Sequence, residues 1–286
     1  MMKQTASLAT PISPIDRPFH SALGHTVSRL GEAGARFPHT GFAVSDEPLP
    51  PAQLKMIEEV LPFTVRLVGD DDDLNKAVKI RHSAYSRHLP IFAETLRLPE
   101  STDSDEGVVV LLAESKLDGS PLGTMRIQTN EFRPLSVEQS IRLPDWLKGQ
   151  RLAEATRLGV TDGKGGRLVT TVLFKAFYLY CKLIGIDWMV IAGRAPIDKQ
   201  YERLLFEDVF PGSGYVPLAH AGNLPHRIMC SRVETAQERW TTAKNPLFDF
   251  AFRTFHPDIE LGERRSPRFS QSAVQIPRTN TTRYTM

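Results

Sequence analysis

Cysteine is scarce, with only Cys181 and Cys230 among 286 residues. Two thiols cannot build a disulfide framework, and Cys181 lies in an apolar run where a core thiol is expected rather than a nucleophile. A surplus of one charge is missing too: 35 Lys and Arg stand against 33 Asp and Glu, a net charge of +2. That balance argues against a nucleic-acid partner, whose binders carry a strong basic excess. No run is long and apolar enough to span a bilayer. The opening MMKQTASLATPISPIDRPFH has no apolar signal-peptide core before its prolines, so a cytoplasmic protein is expected. The eight histidines show no HExxH or other compact metal spacing. Neither a Gly-x-Ser-x-Gly elbow nor a Walker phosphate loop is present. The expectation is a protein with no metal and no tightly bound cofactor. What the chain does have is 41% hydrophobic residues, enough for a sizeable core.

The ends differ from the middle. Residues 1–60 are rich in Pro, Gly and Ser and read as a partly flexible extension with a short helix near Ala52–Val60. Residues 261–286 are polar and basic, lack both periodicities, and read as a flexible tail. Between them, 61–260 reads as the working domain. FTVRLVG (63–69) is a predicted strand, followed by acidic Asp70–Asp73 at the start of a predicted helix reaching residue 89. Residues 108–117 and 121–130 form a predicted hairpin around Asp118-Gly119. Short helical structure follows near Ser136–Leu147. Further strands are expected at 152–161, 187–192, 214–219 and 226–233, with helices at 167–184, 197–206 and 234–243. The tight turn between early strands excludes a doubly wound sheet. The order fits an α/β (α+β) fold with a mixed, mostly antiparallel twisted sheet flanked by helices on both faces and one parallel crossover.

The crossover is the segment from Arg151 to Gly193. The turn Gly163, Lys164, Gly165, Gly166, Arg167 delivers free backbone amides and cations to a helix start, a site suited to phosphate. Glu154 and Arg157 sit on the strand before it. Three apart, they point to opposite faces of a regular strand, so a β-bulge between Glu154 and Gly159 is expected to re-aim one of them.

The order of elements and this crossover resemble the GNAT superfamily of acyl-CoA N-acyltransferases, over about residues 63–233. The usual loop of that superfamily has a Gln or Arg ahead of two spaced glycines, and the shifted glycines here turn the expected donor from acetyl-CoA toward a long-chain acyl carrier. The scattered charges resemble the acyl-homoserine-lactone synthases, which share the fold. Arg81 and Tyr85 match their Arg-x-x-x-aromatic helix. Glu100, Asp103 and Asp105 match the acidic cluster, Gly123 and Arg126 the Gly-x-x-Arg strand, and Glu154 and Arg157 the Glu-x-Ser-Arg strand, with Thr156 in place of serine. The long-chain N-acyl amino acid synthases of the FeeM type fit better still, through QYERLLFEDVFPGSGYVPLAHAGNLPHRIM and RTFHPDI downstream.

That resemblance implies attack of an amino acid's amine on an acyl-phosphopantetheine thioester, carried by acyl carrier protein or CoA. Glu154 is then the candidate base, or else half of a salt bridge with Arg157 or Arg126. Backbone amides at Leu158, Gly159 and Val160 are candidates for an oxyanion site, and the turn 163–167 for the carrier phosphate. Tyr201 stands where many GNAT enzymes protonate the leaving thiolate; the other reading is a tyrosine packed on the sheet. Arg81 and Arg126 either orient the acceptor carboxylate or order the acidic segment 100–105. Asp103 and Asp105 either contact the acceptor amine or sit in a solvated loop. Two other functions remain open: a homoserine-lactone signal synthase using S-adenosylmethionine, and a non-catalytic module that senses acyl carriers.

Overall fold

A computed structural model describes residues 56–262; the expected C-terminal tail and most of the N-terminal extension lie outside them. In chain order the strands and α-helices are β1 (Ile57–Glu58), β2 (Phe63–Leu67), α1 (Asp71–Ser86), α2 (Pro90–Glu94), β3 (Val108–Ser115), β4 (Pro121–Thr129), β5 (Leu152–Val160), α3 (Lys164–Ile184), β6 (Trp188–Gly193), α4 (Asp198–Arg203), β7 (Glu207–Asp208), β8 (Val216–Leu218), β9 (Leu224–Arg232), α5 (Ala236–Thr242), β10 (Thr254–Phe255) and β11 (Ile259–Glu260). The main sheet runs β11-β2-β3-β4-β5-β6-β9-β7, with β8 beside β9. It is antiparallel except at β5–β6 and β11–β2. The first of these is the expected crossover through α3. The second arises because the chain returns to the far edge of the sheet after α5. One expectation fails: the described part of Ala52–Val60 holds no helix, and Ile57–Glu58 pairs in parallel with β10. Residues 56–60 are all exposed on one short edge, so backbone pairing rather than an apolar face shapes them.

Local chemistry explains the elements around the site. The Asp70 side chain accepts the Asp73 N–H at 2.9 Å, capping α1, and Asp71–Asp73 fill its first turn where the helix dipole favours anions. Asp73 also pairs with Arg66 on β2. α3 lays Val169, Val172, Leu173, Ala176, Phe177 and Cys181 on one face of the sheet, each buried. A large apolar side chain buried this way contributes about 1.5–3 kcal/mol. The helix is less enclosed than its composition suggests, because Leu168 and Leu183 face outward. Lys175 is buried on α3 with no salt bridge among the described residues; it donates to the carbonyls of Phe250 and Thr254 and meets His256 Nδ1 at 2.8 Å, tying down the chain before β11.

Two departures from regular strand geometry make room for chemistry. Between β4 and β5, Arg126 opposes Thr156 while Thr124 opposes Gly159, so Met125 alone faces Arg157 and Leu158. This is the expected bulge, and Arg157 takes it up with φ of 54°. That left-handed conformation costs a non-glycine residue about 1–2 kcal/mol. Between β5 and β6, pairing ends at Ala155–Ile191, which leaves Thr156–Val160 without a partner on that side. The two strands splay there.

α1 crosses the splayed part of β5 on the face opposite α3. A Cβ at Gly159 would lie 3.1 Å from both Arg81 Cα and Ala84 Cβ. The bare backbone therefore sets how closely α1 approaches. We expect Gly159→Val to push α1 off the sheet and cost about 1–3 kcal/mol by overpacking, read as a lowered urea midpoint. A midpoint equal to the parent's would show that the helix moves freely.

Candidate active site

Arg81 from α1, Arg126 from β4 and Arg157 from β5 converge on two carboxylates of the segment 100–103. Arg81 grips Asp103 through two bonds of 2.9 Å and reaches Glu100 at 3.3 Å. Arg126 contacts Glu100 at 3.1 Å and Asp103 at 3.3 Å, and its Nε donates to Thr156 Oγ1 at 3.1 Å. Arg157 holds Glu100 with a fork of two 2.6 Å bonds. Arg81 and Asp103 are wholly buried, and Glu100 is the most open member. Burial pushes Glu100 and Asp103 up, but the guanidiniums more than offset it, Arg157 for Glu100 and Arg81 for Asp103. Both carboxyls stay below their ordinary range. Arg81 and Arg126 thus order the acidic segment, and Asp103 is no solvated loop residue. Asp105 lies outside the network, paired with Arg133.

Glu154 sits on the same face of β5, one strand pair from Thr156. The bulge turns Arg157 to that face as well, and the turn at His220 touches both residues. Arg157 Nη2 donates to the His220 carbonyl at 3.0 Å, while His220 Nε2 lies 3.8 Å from Glu154 Oε1. Glu154 is fully buried. Its Oε2 accepts the Val137 N–H at 3.2 Å, with the Ser136 amide close by, while Oε1 has no hydrogen-bond partner among the described residues. Burial raises its pKa from 4.5 to about 7, against the pull of these amides, Arg126 and Arg157. A carboxyl that titrates near neutrality, with one oxygen free, is equipped to accept a proton.

The remaining expected residues surround the splay. Leu158, Gly159 and Val160 form the stretch of β5 that β6 leaves unpaired. Gly163 precedes α3 and Lys164 opens it, with no side chain capping the helix start. At Gly166 a Cβ would fall 2.2 Å from the Thr161 carbonyl, so only glycine permits this tight turn. Gly165 and Arg167 are exposed in the first turn. Tyr201 lies on the other face of the sheet, its ring 5.4 Å from Phe174 and 6.5 Å from Phe206. Burial pushes its phenol well up, and Tyr85 adds to the shift. Phe174 and Phe206 also line a cavity of about 40 Å³, together with Leu204 and Trp240. Sequence reasoning missed two residues. Glu100 stood within the acidic cluster and was left without a role, although three guanidiniums need more than one partner. His220 gave no signal, being a lone histidine in a loop.

A mostly antiparallel sheet with one parallel crossover, a bulged and splayed central pair of strands, and an open helix start at the splay make up a GNAT-type fold. The family model described as “N-acyl amino acid synthase FeeM” matches residues 76–221, and the chain belongs to that family. The protein is therefore an acyltransferase with N-acyl amino acid synthase-like activity. Among solved structures, FeeM itself, an N-acyl amino acid synthase from uncultured soil microbes, is 18% identical with a TM-score of 0.50, covering 66% of this chain and 96% of FeeM. The CoA-dependent acyl-homoserine lactone synthase BjaI, solved with SAM and isopentyl-CoA, is 18% identical with a TM-score of 0.45, covering 72% and 96%. The AHL synthase LasI is 15% identical with a TM-score of 0.45, covering 61% and 93%. A comparison with curated proteins finds no match. Among the described residues no helix is long and apolar enough to cross a membrane.

Proposed function

We propose that the enzyme transfers a long-chain fatty acyl group from an acyl-phosphopantetheine thioester, on acyl carrier protein or CoA, to the α-amine of an amino acid. The observation that carries this reading is Glu154: a buried carboxyl near neutrality, with a free oxygen, beside the unpaired flank of β5. The free amine attacks the thioester carbonyl once Glu154 has taken its proton, directly or through one water. Amides of Leu158–Val160 receive the oxyanion; as it collapses Tyr201 protonates the departing thiolate, and the proton shed by the newly acylated nitrogen restores the phenol, the first proton staying on Glu154. Glu154 and Tyr201 reach the splay from opposite faces, which suits a base and an acid acting on two sides of one thioester. The carrier phosphate rests on the open amides of Lys164–Gly166.

The acceptor carboxylate takes the remaining capacity of Arg157. Its Nε and Nη2 are committed to Glu100 and His220, whereas Nη1 has no hydrogen-bond partner among the described residues. Arg81 and Arg126 hold Glu100 and thereby Arg157.

The test is release of free thiol from acyl-carrier and acyl-CoA thioesters by the purified full chain. Release that requires an amino acid is expected. Release driven by S-adenosylmethionine instead makes the enzyme a lactone-signal synthase, and binding without release under every acceptor makes it a carrier sensor. Either result overturns the proposal.

A further inference from the structure

We propose that His220 is a positioning residue for Glu154: its Nε2–H turns onto Oε1 as the carboxylate forms and holds the charge during proton transfer. The geometry begins in the turn Ala219–Ala221 between β8 and β9. Arg157 fixes the main chain of this turn through the His220 carbonyl. Phe92 of α2 covers it, since a Cβ at Gly222 would meet that ring at 3.0 Å, and the same ring lies 5.5 Å from the Arg157 guanidinium. The imidazole is thus pinned beside the carboxyl, with only 8% of its side chain exposed. Glu154 Oε1 and His220 Nδ1 are both buried without a hydrogen-bond partner among the described residues. The 3.8 Å gap from Nε2 to Oε1 is too wide for a hydrogen bond. A movement of about 1 Å closes it, bringing a donor to the only free oxygen of the base.

The charge state fits a donor. Burial first, then Arg157, His226 and Arg126, push His220 down to about 4, so the ring is neutral through the working range and carries one N–H. A hydrogen bond to the Ser136 backbone pulls the other way without offsetting these effects. Around Glu154 the facing groups are Arg126 from β4, Arg157 from β5 and the amides of Ser136 and Val137. Arg81, Glu100 and Asp103 stand one layer beyond. Among the described residues none of these groups is hydrogen-bonded to Oε1, and the His220 ring faces it at 3.8 Å.

The inference rests on the acyl-transfer reading for its purpose, so the test separates the two. The full chain is labelled with ¹³C at the glutamate side-chain carboxyl, and the Glu154 signal is assigned by its loss in Glu154→Gln. Its titration is followed in the parent and in His220→Leu, His220→Asn and His220→Gln. Leucine cannot donate and asparagine is too short, so both should raise the Glu154 midpoint by about one pH unit, a tenfold change in proton affinity. Glutamine keeps a donor at the Nε2 position and should restore the midpoint. An unchanged or lowered midpoint in the leucine and asparagine variants overturns the proposal, as does failure of glutamine to do better than asparagine. Thiol release is measured on the same samples. A Glu154 midpoint that responds as expected in a protein that never transfers acyl groups leaves the pairing standing and removes the acyl-transfer reading instead.

Discussion

Glu154→Gln abolishes most acyl transfer and at the same time makes the protein more stable above pH 7. The first effect follows from loss of the base and should cost about 10²–10⁴-fold in rate. The second follows from the raised pKa. Folding shifts the Glu154 carboxyl from 4.5 to about 7. Below pH 4.5 it is protonated in both states and favours neither. Between 4.5 and 7 the unfolded chain releases the proton while the folded chain keeps it, so each rise in pH favours unfolding. Above 7 the full penalty applies, about 3–4 kcal/mol from a shift of this size. Glutamine, of the same shape and uncharged, escapes it while still accepting the Val137 N–H. The difference in urea midpoint between variant and parent should therefore widen from pH 5 to pH 8. A constant difference would show that Glu154 ionises normally in the fold. The same titration sets the rate profile: parent kcat/KM should rise with pH and level off near 7, where Glu154 becomes carboxylate.

Asp103→Ala should be among the most destabilising single changes, at about 3–5 kcal/mol. Asp103 is wholly buried and bidentate with an equally buried Arg81. Three guanidiniums (Arg81, Arg126, Arg157) now face two carboxylates (Glu100, Asp103), an excess of one positive charge that ionised Glu154 cancels. Without Asp103 the excess doubles, and Arg81 retains only a 3.3 Å contact with Glu100. The segment carrying Glu100 then loses an anchor, and with it the fork that aims Arg157. The acid side gives a second signature. Glu100 and Asp103 both have lowered pKa values, so their stabilisation is present above the ordinary carboxylate range and is lost as pH falls through the lowered values. The variant should lose stability less steeply on acidification than the parent. A cost below about 1 kcal/mol by urea titration, the range of an exposed ion pair, would mean that the network contributes little.

Much of the frame was legible because it depends on neighbours in the chain. The Asp118-Gly119 hairpin, the capped start of α1 and the long apolar helix α3 all follow from local periodicity and turn chemistry. The bulge was legible for another reason: two charges three residues apart on one strand cannot share a face unless an extra residue is inserted. Two-residue strands such as Thr254–Phe255 and Ile259–Glu260 were not, since edge pairing with distant strands creates them and no pattern fits in two positions. Asp103 looked like a loop residue in water because nothing local announces that Arg81, 22 residues earlier, comes round to bury it.

The sequence by itself determined the order of strands and helices, the glycine-rich start of α3, and the residue types available for proton transfer and anion binding. Those properties reside in local conformational preference and in side-chain chemistry. Only the tertiary structure decided that Arg157 turns to the face of Glu154, that Glu100 is the common partner of three arginines, and that His220 comes to lie beside Glu154 and Arg157. Burial and field at one carboxyl are sums over groups from β4, β5, the segment 136–137 and the turn at 220, and no stretch of chain contains that sum.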